Sequence, residues 1–177
     1  MKLIKDFQFK SQLFFGRCDL QNCLRVVMSD GSSAMVLYRC AQSLRKIKLG
    51  FLGWFFLEAN KWMNGCVIGR CAEFDDGFVI MHPFGIVING GVQGGKNIVL
   101  ESGVVIGAAR NGLPVEVPVL GHNIFIGSGA KILGKIRIGN RVKIGANAVV
   151  IKDVPDGATV VGIPGKIIKI ENKSNNL

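Results

Sequence analysis

Apolar residues recur at every sixth position through the second two-thirds of the chain. They form two runs: Ile68, Phe74, Ile80, Ile86, Val92, Ile98 and Val104, then Leu120, Ile126, Ile132, Ile138, Ile144 and Val150. An α-helix repeats every 3.6 residues and a strand every two, so neither element alone explains a period of six. The pattern is typical of a hexapeptide repeat, in which three strand-and-turn units form one coil and stacked coils share an aliphatic core. We therefore expect a mainly β protein built on a parallel β-helix.

The expected β-helix covers residues 65–166, and its period is interrupted once. Val104 and Leu120 are sixteen residues apart, which is not a multiple of six. Residues 107–118 are therefore expected to leave the coil as one external loop, which is either a tolerated insertion or part of a binding face. Residues 167–177 follow the last unit and are expected to form a C-terminal tail.

Residues 1–64 lack the period and are expected to form a helical N-terminal segment. Residues 32–48 and residues 50–63 each predict a helix, and Ser32 or Ser33 is the expected N-cap of the first. The residues expected on the apolar face of that first helix are Val36, Cys40, Leu44 and Ile47.

The charge and cysteine content narrow the possible partners. A formal net charge of +10 suggests an anionic partner or a solvated basic surface. No arginine-rich run with interleaved aromatics occurs, and no zinc-finger spacing, so we expect no nucleic-acid partner and no metal site. The five cysteines include no CxxC pair, and no secretory signal precedes them. These features favour reduced thiols and a cytoplasmic location.

His82 is one of only two histidines and lies within the apolar segment VIMHPFGIVINGG, residues 79–91. Imidazole has an ordinary pKa close to neutrality, which suits a proton acceptor. A single histidine among apolar residues is nevertheless more often a core residue than a catalytic one, so the segment alone does not assign a role to His82.

Three segments of the repeat region carry a resemblance to a known family. They are MHPFGIVING (81–90), IGSGAKILGKIRIGNRVKIGANAVVIKDVP (126–155) and VVGIPGKII (160–168). Over roughly residues 65 to 170 the chain resembles the serine acetyltransferase family of left-handed β-helix acyltransferases. This resemblance implies a left-handed coil, a homotrimer, and acetyl-CoA as co-substrate in the groove between neighbouring coils. Apolar residues beside the inward positions, such as Val87, Val99 and Val105, would then contribute to the trimer interface.

The resemblance also implies site residues. His82 falls on the family's catalytic histidine, which acts as the general base toward an acceptor hydroxyl. The small residues that line the pantetheine arm would be Ala108, Ser128 and Ala146. Lys143 and Lys166 are candidates for the nucleotide phosphates, although either could be an ordinary surface lysine.

Three positions depart from the family pattern. Met81 and Val67 stand where aspartates are usual, and Val117 stands where a second active-site histidine is usual. His122 is five residues beyond Val117 and is expected at a coil edge. The missing groups argue against serine as the acceptor.

A closer resemblance is to the exopolysaccharide O-acetyltransferases of the colanic acid type, through the short chain, the VIN after His82 and the VPD…VVG ending. The leading interpretation is therefore an acetyl-CoA-dependent O-acetyltransferase acting on a saccharide hydroxyl in cell-surface polysaccharide synthesis. The alternatives are a serine O-acetyltransferase of cysteine biosynthesis and a non-catalytic hexapeptide-repeat scaffold.

The N-terminal segment raises the question of a membrane surface. Residues 1–66 contain ten Lys and Arg against four Asp and Glu, together with Trp54 and Trp62. Indole rings and basic residues favour the headgroup region, which suits a lipid-linked sugar acceptor and peripheral association with the inner membrane. The alternative is that the segment packs on the coil or on other subunits, with both tryptophans buried.

Overall fold

The computed structural model describes residues 2–109 and 115–171. The chain begins with four helices: α1 Lys2–Phe15, α2 Leu20–Val27, α3 Ser32–Lys46 and α4 Gly50–Asn64. Helices α3 and α4 occupy the two segments where the sequence predicts helices. The sequence pattern does not distinguish α1 and α2.

Helix α3 differs from the prediction at its start and on its buried face. Its N-cap is Gly31, in the left-handed region at φ 75°, and the Ser32 hydroxyl donates instead to the carbonyl of Val26. The predicted apolar face is only partly buried. The buried residues of α3 are Ser32, Ala34, Met35, Tyr38, Arg39, Ala41 and Gln42. Polar side chains can occupy this face because each finds a partner in the coil or in α1.

Fifteen short strands within the described residues form three sheets, one on each side of a triangular coil. They are β1 Val67–Ile68, β2 Glu73–Phe74, β3 Phe78–Ile80, β4 Val87–Ile88, β5 Gln93–Gly94, β6 Ile98–Leu100, β7 Val105–Gly107, β8 Val119–Leu120, β9 Ile124–Ile126, β10 Lys131–Leu133, β11 Arg137–Ile138, β12 Lys143–Ile144, β13 Val149–Val150, β14 Ala158–Val161 and β15 Lys166–Ile170.

Strands three apart in the chain pair in parallel as far as β13, and β12 then pairs in parallel with β14. Sheet A contains β1, β4, β7, β10 and β13; sheet B contains β2, β5, β8 and β11; sheet C contains β3, β6, β9, β12 and β14, with β15 antiparallel at its end. We call the turns that lead from sheet C to sheet A the CA corner (residues 81–86, 101–104, 127–130 and 145–148). The AB and BC corners are the turns from sheet A to B and from sheet B to C.

The strand register reveals a two-residue insertion that the sequence period does not show. Val87 pairs with Val105, eighteen residues later, which is one coil of three hexapeptides. Val67 pairs with Val87, twenty residues later, so the coil between them contains two more residues. Since Val79 pairs with Val99, the two additional residues lie in the first turn of the CA corner. The six-residue run continues across this insertion because each unit has two inward positions, and the insertion moves the run from one to the other.

All members of the two six-residue runs are buried, and they form one continuous core. The external loop leaves sheet A after β7 and returns at β8. Val105 pairs with Lys131, so this coil is longer than the others. Residues 110–114 of the predicted loop lie outside the described residues.

Side chains of α1 and α3 bind the backbone of the first coil. Asp6 Oδ1 accepts the N–H groups of Gly77 and Phe78 at 2.8 and 2.9 Å. Arg39 is paired with Asp6 (Nε–Oδ2 2.6 Å), both side chains being buried, and it donates to the carbonyl of Phe74 at 2.8 Å. The helical segment and the coil therefore share a polar interface as well as an apolar one.

Tyr38 of α3 reaches the same coil. Its ring lies 6.1 Å from Phe74 and 5.3 Å from Phe78 between centroids. Its hydroxyl accepts the N–H of Phe74 and donates to the carbonyl of Ala72, both at 3.1 Å. Burial raises the pKa of this hydroxyl well above its usual value, so Tyr38 remains a neutral donor.

The far end of the coil is covered by β15, which occupies the beginning of the predicted tail and runs antiparallel to β14. Residues 172–177 of that tail lie outside the described residues. None of the helices within residues 2–109 and 115–171 is long and apolar enough to cross a membrane. Trp54 and Trp62 of α4 are exposed by 44% and 80%, so neither is buried against the coil of its own chain.

Candidate active site

His82 lies in the extended turn of the CA corner, directly after β3. Its side chain is 58% exposed, although Ile80, two residues earlier, is fully buried. The strand therefore fixes the backbone before the histidine, and the imidazole lies outside the core, as do the equivalent residues Ser102, Ser128 and Ala146 of the following coils. His82 is therefore a surface residue next to a buried strand, and not the core residue that its apolar segment suggests.

The CA corner stacks His82 above two of the predicted cofactor residues. The carbonyl of Ser102 accepts the N–H of Gly129 at 2.7 Å, and the carbonyl of Ser128 accepts the N–H of Asn147 at 2.8 Å. Ser128 is thus two coils from His82 and Ala146 three. With about 4.8 Å between neighbouring strands, the corner from His82 to Ala146 extends about 14 Å.

The small residues at this corner also have a structural role. A Cβ on Gly127 would lie 2.7 Å from the backbone nitrogen of Ala146. The stacking of turns therefore demands little side-chain volume here, whether or not a ligand lies against them.

Ala108 lies on a different corner. It follows β7 in sheet A, where Gly134 of the next coil donates its N–H to the carbonyl of Gly107 at 2.9 Å. This is the AB corner, so a single chain does not bring Ala108 together with Ser128 and Ala146.

The two candidate lysines have different surroundings. Lys143 forms an ion pair with Glu171 (Nζ–Oε1 3.2 Å), and hydrogen bonds from Lys143 and Lys169 lower the pKa of that carboxyl. Lys166 begins β15 and pairs with Val161. Because Gly145 donates to the carbonyl of Val160 at 2.8 Å, Lys166 lies near the end of the CA corner, beyond Ala146.

A carboxylate from the helical segment contacts His82. Asp30, in the loop between α2 and α3, places Oδ2 2.9 Å from Nδ1 of His82. The sequence analysis missed Asp30 because 52 residues separate the pair. The one local signal is an Asp-Gly step before a helix, which marks a turn but not its neighbour in space.

Buried Lys10 of α1 lies beneath the Asp30 loop. It donates to the carbonyl of Asp30, to the Ser32 hydroxyl at 3.0 Å and to the carbonyl of Ile80 at 3.3 Å. Burial lowers the pKa of Lys10 to about 8, while the charge of Asp30 acts in the opposite direction. One ammonium group thus joins the Asp30 loop to the strand that precedes His82.

Apolar side chains occupy the three positions that depart from the family pattern. Val67 is the first residue of β1 and is 40% exposed. Met81 and Val117 are partly buried against the core. His122 is at the BC corner, where its Nδ1 accepts the N–H of Lys96 at 2.9 Å, as expected for a coil-edge residue.

Comparison with known proteins places this architecture in a family. Residues 118–152 match the model of the bacterial transferase hexapeptide (six repeats). A serine acetyltransferase of Bacillus pumilus is 35% identical over 151 residues, covering 85% of this chain and 70% of the relative. A serine acetyltransferase of Helicobacter pylori is 34% identical over 143 residues, covering 81% of this chain and 84% of the relative.

Solved structures agree with these relatives. The serine acetyltransferase of Neisseria gonorrhoeae superposes with a TM-score of 0.83 at 29% identity, covering 97% of this chain and 66% of that one. A serine acetyltransferase in complex with CoA gives 0.79 at 25% identity, covering 93% and 68%. These comparisons confirm the predicted left-handed parallel β-helix with helices before it. They favour serine acetyltransferases over the colanic acid type that the sequence analysis preferred. The chain is an acyltransferase, and it belongs to the serine acetyltransferase family of hexapeptide-repeat transferases.

Proposed function

We propose that this acyltransferase transfers the acetyl group of acetyl-CoA to the hydroxyl of serine. Acetyl-CoA is the acetyl donor, as the CoA-bound structural relative supports. The observation that carries serine as the acceptor is the 34–35% identity to serine acetyltransferases across more than four-fifths of the chain. This acceptor replaces the saccharide hydroxyl as the leading interpretation.

His82 would act as the general base in this reaction. Its Nδ1 faces Asp30, which leaves Nε2 to take the proton of the acceptor hydroxyl as the oxygen attacks the thioester carbonyl. The tetrahedral intermediate then collapses, the C–S bond breaks, and CoA leaves as the thiolate and takes up a proton. The mechanism forms no acyl-enzyme, so the cysteines need take no part.

The donor would lie along the CA corner. Ser128 and Ala146 follow His82 on this corner, and Lys166 lies beyond them, where the nucleotide phosphates of an extended CoA would arrive. Lys143 could supply a second charge only by sharing it with Glu171. Ala108 joins the groove only if the AB corner of a neighbouring subunit faces the CA corner, which is the arrangement we propose in a homotrimer.

Apolar outward residues support such an assembly. Val87 and Val119 are each 42% exposed on the flat faces of the coil, and exposed apolar patches of this kind mark interfaces. Val105 is half-buried. Val99 is only 6% exposed, so it cannot contribute to the interface as the sequence analysis expected.

A saccharide hydroxyl is the second candidate acceptor, and one observation favours it. Val67, Met81 and Val117 offer no charge to a zwitterionic amino acid, whereas a neutral sugar needs only hydrogen bonds and apolar contact. A serine acceptor would therefore need other groups to bind its ammonium and carboxylate.

Acceptor-dependent thioester cleavage distinguishes the two candidates. The exposed cysteines Cys18 and Cys71 would react with thiol reagents, so the assay should follow loss of the acetyl-CoA thioester absorbance with serine, with a panel of sugars and without acceptor. His122→Gln is the matched control for substitutions of His82. Cleavage stimulated by serine supports the proposal, and stimulation by sugars alone supports the second candidate. Absence of stimulation by any acceptor would refute both and favour the non-catalytic scaffold.

A further inference from the structure

We propose that Asp30 is a positioning residue for His82, so that the helical segment supplies the carboxylate that holds the base in its reactive tautomer. The inference rests on the proposed role of His82, and it assigns to the α2–α3 loop a part in the active site of this chain. Asp30 acts through the imidazole and does not contact the acceptor.

The hydrogen bond fixes which imidazole nitrogen carries the proton. An ionised carboxylate can only accept, so the 2.9 Å contact between Asp30 Oδ2 and His82 Nδ1 requires the hydrogen on Nδ1. The lone pair of Nε2 is then free to accept a proton. Without the carboxylate, the imidazole can rotate and exchange tautomers, and the fraction of the ring that is ready to act as a base falls.

The Asp30 loop is held firmly enough to perform this function. Gly31 lies so close to β3 that a Cβ there would overlap the carbonyl of Ile80, and its φ of 75° already disfavours other residues. Lys10 binds the carbonyls of Asp30 and Ile80 together from below. The side chains of Asp30 and His82 are 68% and 58% exposed, but their backbones start from one clamped point.

The two coil positions where the family resemblance places aspartates do not supply this carboxylate. Val67 and Met81 stand at the two positions where the family resemblance places aspartates, and neither can accept a hydrogen bond from an imidazole. The carboxylate that contacts the ring comes instead from a different element.

His122 provides an internal reference in the same molecule. Because its Nδ1 accepts the backbone N–H of Lys96, its hydrogen must be on Nε2. The two histidines of the chain are therefore expected to be opposite tautomers.

The test is a long-range ¹H–¹⁵N spectrum of the imidazoles in the full chain, recorded at about pH 7.5, about one unit above the ordinary pKa of imidazole and below the pKa of Lys10. We expect His82 with hydrogen on Nδ1 and His122 with hydrogen on Nε2, the His122→Gln variant giving the assignment. Asp30→Asn and Asp30→Ala should move His82 alone toward the Nε2–H form. Asp75→Asn, which alters an exposed ion pair with Lys2, is the matched control. An Nε2–H tautomer at His82 in the unmodified chain, or a His82 spectrum unaffected by both Asp30 variants, would overturn the proposal.

Turnover provides the second measurement. In a buried triad the corresponding Asp→Asn change costs about 10⁴-fold in kcat, and for this more exposed pair we expect a loss of about 10- to 100-fold. The KM for acetyl-CoA should not change, and Asp30→Glu should recover part of the loss. An unchanged kcat in Asp30→Asn would contradict the proposal. If the tautomers behave as expected but no acceptor stimulates cleavage, the pairing stands and the proposed function fails.

Discussion

Replacing Lys10 with methionine should change how the stability of the fold depends on pH. Lys10 is fully buried, and burial lowers its pKa from 10.5 to about 8. Methionine keeps the unbranched apolar stem but removes the titrating amine and its hydrogen bonds. The two backbone carbonyls of Asp30 and Ile80 then lack this donor, which costs about 1–3 kcal/mol for each buried acceptor left unsatisfied.

The pH dependence follows from the proton balance. Between about pH 8 and pH 10.5 the unfolded chain keeps the Lys10 proton while the folded chain has released it. The unfolded state binds more protons, so Lys10 makes the free energy of unfolding rise with pH across this interval. At 1.36 kcal/mol per pH unit, the rise has an upper bound of about 3 kcal/mol.

In the same pH range, two other buried groups make the free energy of unfolding fall as the pH rises. Burial raises the pKa of the Cys66 thiol to about 12 and also raises the pKa of the Tyr38 hydroxyl. Each group keeps its proton in the folded chain while the unfolded chain ionises, so each lowers the free energy of unfolding as the pH rises. Both are present in the parent and in Lys10→Met, and their contributions cancel in the difference between the two proteins.

Urea unfolding of both proteins at pH 7, 8, 9 and 10 measures this difference. We expect Lys10→Met to lose stability relative to the parent as the pH rises above 8. A difference that stays constant with pH would show that the buried amine does not titrate as argued. A difference that shrinks with pH would mean that the charged form is favoured in the fold.

The remaining predictions concern activity, assembly and membranes. His82→Ala should lower turnover by about 10²–10⁴-fold and leave the affinity for acetyl-CoA nearly intact; turnover equal to that of the parent protein would remove His82 from the mechanism. Sedimentation should show a homotrimer, and a stable monomer at micromolar concentration would contradict both the trimer and a groove shared between subunits. If the basic N-terminal segment and its exposed tryptophans meet a membrane, the protein should bind anionic vesicles more weakly as salt rises. Co-sedimentation without binding at low salt would leave subunit contacts as the use of that surface.

The six-residue period predicts the β-helix well because each repeat unit places an apolar residue at the same buried position of the coil. The same regularity hides the insertion before Ile86: both inward positions of each unit are apolar, so a shift between them leaves the period unbroken. The insertion lies in the turn that contains His82, so the sequence period gives no sign that this turn is longer than the others.

Contacts between distant segments could not be predicted in this way. The burial of Arg39 depends on Asp6 in another helix, and neither residue looks like a core residue by composition. Asp30 reaches His82 through the packing of a loop on a strand, for which no periodic signal exists. The family resemblance groups Ala108 with Ser128 and Ala146 by position, but only the register shows that Ala108 lies on another corner.

The contacts that Asp6 and Tyr38 make with the first coil affect how copies of this chain can meet. A stack of parallel coils ends in strands whose N–H and C=O groups have no preceding coil to bind, and such strands recruit other strands. Here side chains of α1 and α3 take the place of the missing coil, and β15 covers sheet C at the opposite end. These contacts block growth of the stack into fibres at its first turn. Terminal units of other repeat proteins cover the ends of the stack in the same way. Association is left to the sides of the coil, where the corners carry the candidate site.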